Sequence, residues 1–238
     1  MIPLIYDQVN TYEKDSEFLL KLLNQSSGKT VADLGCGTGR VTKKLAEAGY
    51  LVTAIDPNAE AIDYAIEHSL QSEIKWILGD SKDLQPKSYD FVIMTANVAQ
   101  VFLTEESWLT TLRDIYQSLK PGGQLVFDTR NPAKRVWEYW QKDLTPDKAT
   151  HPETGAALEI WTEYEGMEDD IFTFYETVKF VETGETIVRE KMQLKFRSYE
   201  ELMLSVKAVG FRDVVVFEDW EDKLANEQSH SFVFHAIK

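Results

Sequence analysis

The chain has 238 residues, 43% of them hydrophobic, which suffices for one full domain plus an insertion and a core that leans on neither disulfides nor metals. Its single cysteine excludes an intramolecular disulfide and a paired-cysteine zinc site, so a reducing, cytoplasmic setting is expected. Forty acidic against 25 basic residues, a formal net charge of -15 without a dense Lys/Arg cluster, argue against nucleic acid as a substrate, and no export signal or apolar run long enough for a membrane span is present.

The opening segment MIPLIYDQVNTYEKD carries Tyr6 and Tyr12. From residue 30 to 130, short β-branched or apolar runs alternate with stretches of helical period, the pattern of βα units around a parallel sheet. Strands are predicted at TVADL (30–34), LVTAID (51–56), EIKWILGD (73–80), YDFVIMT (89–95) and QLVFDTR (124–130). Between them, Val41, Leu45 and Ala48, then Ala61, Ile62, Ala65 and Ile66, then Trp108, Leu109, Leu112, Ile115 and Tyr116 lie at helical spacing; KPGG is expected to stop the last of these helices. Trp137, Tyr139 and Trp140 follow at a spacing that suits a helix packed on the core. LEIWTEYE, DIFTFYETVKFV and TIVREKMQLKF then alternate in period two, separated by the turn-forming GMEDD and ETGE, which predicts three antiparallel strands. Helical period returns from Tyr199 to Val209, stops at Gly210, and gives way to the strands FRDVVVF and SFVFHAI. The expected architecture is α/β: a Rossmann-like, doubly wound, mostly parallel seven-stranded sheet formed by residues 1–132 and 198–238, with residues 133–197 inserted as an antiparallel β lid.

Open α/β sheets bind ligands beyond the carboxyl ends of their strands. DLGCGTG follows the first strand, where Gly35, Gly37 and Gly39 permit positive φ and close approach of a ligand to the backbone. Its G-x-G-x-G spacing departs from the G-x-G-x-x-G of pyrophosphate-binding loops, and Asp33 beside it disfavours a pyrophosphate while favouring a cationic ligand. Asp56 closes the second strand, where a carboxylate can accept both hydroxyls of a ribose; Asp80 and Ser81 close the third, where an acid and the next N–H can read the edge of adenine.

These motifs resemble those of class I S-adenosylmethionine-dependent methyltransferases of the small-molecule kind. VADLGCGTGR, AIDPN, GDSKDL and LKPGGQLVFD occur in that family's order, and the likeness covers residues 30–130, continuing more weakly to the end. The resemblance implies S-adenosylmethionine as cofactor and S-adenosylhomocysteine as product. It sets Gly35 and Gly37 beside the methionine portion with Cys36 between them, Asp56 at the ribose, Pro57 and Asn58 at the adenine face, and Asp80 with Ser81 at its edge. Ala96 and Asn97 would lie against the cofactor, and an N-terminal helix with Tyr6 and Tyr12 would close over it.

The expected activity is methyl transfer to an N or O atom of a small molecule. Asp128, Arg130 and Asn131, on the crevice rim, are candidates for orienting that acceptor; His151 is the one histidine of four worth testing as a base. No other residue declares itself catalytic, and the sequence carries no signal for an oligomeric state. Three other readings compete: a non-catalytic S-adenosylmethionine-binding protein, a methyltransferase acting on protein or RNA, and an NAD-type oxidoreductase, which the loop spacing disfavours.

Overall fold

A computed structural model describes residues 2–9, 11–70, 73–141 and 144–238. Its main sheet has seven strands: β1 (Thr30–Leu34), β2 (Leu51–Asp56), β3 (Lys75–Leu78), β4 (Tyr89–Met94), β5 (Leu119–Arg130), β10 (Arg212–Glu218) and β11 (Ser231–Ile237). Across the sheet they run β3-β2-β1-β4-β5-β11-β10. The first five are parallel, and β11 enters antiparallel between β5 and β10. The order reverses between β1 and β4, so the crevice at that switch point opens beyond their carboxyl ends.

Side-chain parity builds a core on each face of the sheet. Phe91 and Ile93 of β4 and Val126 of β5 join Phe18, Leu19, Leu22 and Leu23 of α2 (Lys14–Leu23) and Val41 and Leu45 of α3 (Arg40–Glu47). The alternate residues Val92, Met94, Leu125 and Phe127 turn the other way, onto Trp108, Leu112 and Ile115 of α5 (Glu105–Ser118) and Leu202 and Val206 of α7 (Tyr199–Val209). Trp108, fully buried, donates its indole N–H to Ser205 Oγ at 2.8 Å, fastening α5 to α7. The remaining helices are α1 (Ile2–Val9), α4 (Ala59–Glu67) and the four-residue α6 (Trp137–Trp140); among the described residues no helix is long and apolar enough to cross a membrane.

The insertion forms a separate antiparallel sheet of four strands, one more than the sequence pattern predicts: β6 (Asp147–Thr150), β7 (Ala157–Glu168), β8 (Ile171–Phe180) and β9 (Thr186–Lys195), in that order. The extra strand β6, DKAT, is a short polar edge with no apolar alternation to announce it. Its far side is satisfied by a side chain, since Gln8 of α1 donates to Thr150 O at 2.9 Å and accepts from Thr150 N at 2.8 Å. The GMEDD stretch is mostly strand: Gly166 (φ 115) marks a register shift, and only Asp169 and Asp170, both at positive φ, make the turn. Likewise LKPGG belongs to β5, whose Leu119 pairs with Tyr89 and Gln124 with Phe91 across an irregularity.

Candidate functional site

One cavity of about 1120 Å³ lies between the strand ends of the main sheet, α1 and the inner face of the inserted sheet. The main sheet contributes Gly35, Cys36 and Gly37 after β1, Asp56, Pro57 and Asn58 after β2, Asp80 and Ser81 after β3, and Ala96 and Asn97 after β4. Ten of the thirteen residues that the sequence assigns to the cofactor therefore share this wall, and Tyr6 of α1 is an eleventh.

The local bonds show how these positions are held. Asp56 accepts from Gly37 N and from Asn58 N, both at 2.8 Å, so one carboxylate ties the glycine loop to the start of α4. Asn58 caps α4 by accepting from Ala61 N at 3.1 Å. Asp80 heads a short 3-10 turn in a reciprocal capping box with Asp83, and Ser81 Oγ donates to Asp114 at 2.6 Å. Gly35 is at φ +79, and a Cβ there would stand 2.6 Å from Val98; Gly37 is at φ +54 with no atom within 4 Å of its missing Cβ. The Cys36 thiol is pushed well up by burial and by Asp33 and Asp56, which disfavours the thiolate that a nucleophile would need.

Two residues assigned to the cofactor lie elsewhere. Asp33 is buried beneath the loop, accepts from Thr42 Oγ1 at 2.5 Å, and leaves its other oxygen without a partner; burial first, then Asp56, pushes its carboxyl up to about 7. Its place inside strand β1 points it into the packing rather than at the crevice. Tyr12 falls between α1 and α2 and donates to Asp219 O at 3.2 Å, outside the cavity wall.

Of the acceptor candidates, Arg130 alone lines the cavity, donating to Gln100 at 2.9 Å with its guanidinium 5.0 Å from the Trp140 ring. Asp128 is buried and accepts from Asn97 N at 2.9 Å; burial pushes its carboxyl up to about 6. Asn131 is buried too, donating to Ser229 O and accepting from Ala133 N, so it caps a turn instead of facing the crevice. His151 accepts from Glu153 N and Thr154 N and stacks on Phe180, away from the cavity. Trp137 packs on Phe196 as expected of a core residue, whereas its neighbour Trp140 reaches the cavity.

The inserted sheet supplies what sequence reasoning missed. Ile160, Thr162, Tyr164, Phe174, Glu176, Glu190, Met192 and Leu194, all even-numbered, form the opposite wall. Glu176 pairs directly with Glu190 across β8 and β9, and its carboxyl is raised by burial, then by Glu190 and Asp147. The signal was available: in FTFYETV the acid occupies the same phase as Phe172, Phe174 and Val178.

The wall suits an adenosyl amino acid. Open space at Gly37, on a backbone that faces the cavity, is room a ligand can take, and Asp56 has a lone pair left on each oxygen for a diol. Comparisons with known proteins agree. A family described as "Methyltransferase domain" matches residues 31–123. The chain is 37% identical over 108 residues to the cypemycin N-terminal methyltransferase of a Streptomyces species, spanning 45% of this chain but only 44% of that protein. It is 24% identical to the glycine/sarcosine N-methyltransferase of Aphanothece halophytica over 94% of this chain and 81% of the relative. A crystal structure of an S-adenosylmethionine-dependent methyltransferase from Clostridium acetobutylicum shares the fold over 98% of this chain and 95% of its own, with a TM-score of 0.76 at 17% identity. Residues 31–123 thus match a methyltransferase domain, within a chain whose fold is that of solved S-adenosylmethionine-dependent methyltransferases.

Proposed function

We propose that this chain transfers a methyl group to an N or O atom of a small molecule that binds between the cofactor loops and the inserted sheet, leaving S-adenosylhomocysteine as product. The observation that carries this reading is the continuity of the cavity: the wall of glycine loop and strand-end acids and the wall of lid residues enclose one space. Residues 133–197 act as the substrate-binding lid. The glycine/sarcosine N-methyltransferase, a relative named for small amine substrates and aligned over 94% of this chain, supports the substrate class.

When bound, S-adenosylmethionine supplies its own electrophile, a methyl group on a sulfonium. The protein's part is placement and exclusion of water. Gly35, Cys36 and Gly37 would pass along the methionine portion, Asp56 would accept from the ribose hydroxyls, Pro57 and Asn58 would face the adenine, and Asp80 with Ser81 would meet its edge. Ala96, Asn97 and Tyr6 would complete the enclosure. Across the cavity, Glu176 is the carboxylate placed to take the proton that an ammonium or hydroxyl acceptor must lose, and its raised pKa suits that task.

Calorimetry with S-adenosylhomocysteine tests the reading. Wild type should bind saturably and Asp56→Ala at least tenfold more weakly, after which labelled methyl uptake into a metabolite panel identifies the acceptor. Absence of saturable binding of both S-adenosylmethionine and S-adenosylhomocysteine to the wild type would overturn it.

A further inference from the structure

Ala96 and Asn97 are consecutive non-glycine residues in the left-handed region, at φ 55 and 64, on the cavity wall just past β4. Left-handed backbone is disfavoured for residues with a Cβ, so a tandem pair persists only where surrounding structure fixes it. The fixing contact is visible: Asp128, on the neighbouring strand β5 and 4% exposed, accepts from Asn97 N at 2.9 Å. The consequence of this bond reaches further than the turn. The next residue, Val98, presses on the glycine loop, its methyl carbons occupying the positions 2.6 and 2.8 Å from where a Cβ on Gly35 would stand. Two walls of the cradle, the loop after β1 and the turn after β4, thus meet through Val98, and their spacing depends on where Asn97 is pinned.

We infer that Asp128 is a positioning residue for the cofactor cradle: by holding the Asn97 amide it keeps the strained turn wound, which seats Val98 against Gly35 and sets the width of the cleft that receives the adenosyl amino acid. Asp128 touches no ligand in this role. The inference rests on the reading of this cavity as the cofactor site. The sequence placed Asp128 on the rim as a substrate contact; its burial behind the turn gives it a different task.

The groups that bear on Asp128 are Arg130 on its own strand, Asp15 on α2, Tyr12 ahead of α2, and the Trp220 side chain. Asp128→Asn retains an oxygen for the Asn97 amide but does not titrate, whereas Asp128→Ala removes the acceptor. S-adenosylhomocysteine affinity is measured by calorimetry on the full chain, well below each variant's melting temperature, from pH 5 to 8. Expected are affinity within threefold of wild type at pH 7.5 for Asp128→Asn and a loss of tenfold or more for Asp128→Ala. At least half of that loss, on a logarithmic scale, should return in Asp128→Ala/Asn97→Gly, because glycine adopts the left-handed turn unaided. Wild-type affinity should also fall below pH 6 relative to Asp128→Asn, since protonation weakens the acceptor; Asp33 titrates in both proteins and cancels in that ratio. This comparison stands even if the alanine variant does not fold. Parallel pH profiles for wild type and Asp128→Asn, or a folded Asp128→Ala that binds like wild type, would overturn the inference while leaving the methyltransferase reading intact. Failure of the wild type to bind would instead strike that reading.

Discussion

Asp56 on the main sheet and Glu176 on the inserted sheet face the same cavity, yet their surroundings differ. Asp56 accepts two backbone N–H groups and is held to one geometry by them. Glu176 stands opposite another glutamate, and the groups that bear most on it, after burial, are Glu190 and Asp147, both acidic. Like charges directly opposite on paired strands cost stability. The core side of the cavity is therefore a preformed cradle whose polar groups serve the fold as well as a ligand, and the lid side holds charge that the fold alone does not use.

The largest effects are expected where fold and cradle coincide. Gly35→Ala places a Cβ 2.6 Å from Val98 at φ +79, so it should lower folding stability by about 2–3 kcal/mol and S-adenosylhomocysteine affinity by about 100-fold. Gly37→Ala has open space around its Cβ and should cost only about 1–2 kcal/mol of stability, from backbone strain, while still weakening binding by filling the cavity. Denaturant titration alongside calorimetry separates the two. Equal stability losses would mean that the loop is no more tightly packed at Gly35 than at Gly37.

Asp33 carries the next effect. Its carboxyl, pushed up to about 7 in the fold from 3.8, binds a proton that the unfolded chain has released, so stability is fully present below pH 4 and declines as pH rises toward 7. The slope for one such group is about 1.4 kcal/mol per pH unit. Asp33→Asn should flatten the urea stability profile between pH 4 and 7, even if the buried amide lowers its absolute value. An unchanged slope would show that Asp33 is solvated enough to ionise freely.

How much of this was legible follows the same division. The cradle could be read because backbone chemistry restricts it: glycine at positive φ, an acid at a strand end and a helix cap leave local signatures, and strand order puts them together. Asp33 and Asp128 misled because a strand-end acid reads alike whether it points into the crevice or into the packing, and β parity could not be assigned at Asp33 when both sides of its strand are buried. The lid strands β7, β8 and β9 were legible as alternation, but β6 was not, since its partner on the outer edge is a glutamine from α1, 142 residues away. Glu176 was visible as an acid in an apolar phase and went unread because the sheet's inward face was not assigned.

On the lid side, Glu176→Gln should lower kcat/KM for the acceptor about tenfold or more and leave S-adenosylhomocysteine affinity unchanged. Because burial raises this carboxyl above its ordinary value of 4.5, the wild-type rate should climb with pH through a limb displaced upward from that value, and the variant should lack the limb. A variant with full activity and the same pH profile would reduce the lid glutamates to a solvated face.

The smallest effect is expected at His151, the base candidate drawn from sequence. Its Nδ1 accepts from Glu153 N at 3.2 Å and Thr154 N at 3.4 Å within the turn that joins β6 to β7, and its ring lies parallel to Phe180 of β8 at 6.0 Å. A ring that closes a turn and does not line the cavity is not placed to take a proton from the acceptor. His151→Ala should thus cost about 0.5–1 kcal/mol of stability through the lost acceptor, with His151→Asn recovering part of it, and change kcat by less than twofold. If kcat instead fell tenfold at unchanged stability, the β6–β7 turn would have to reach the acceptor, and the base would be the His151 imidazole instead of Glu176.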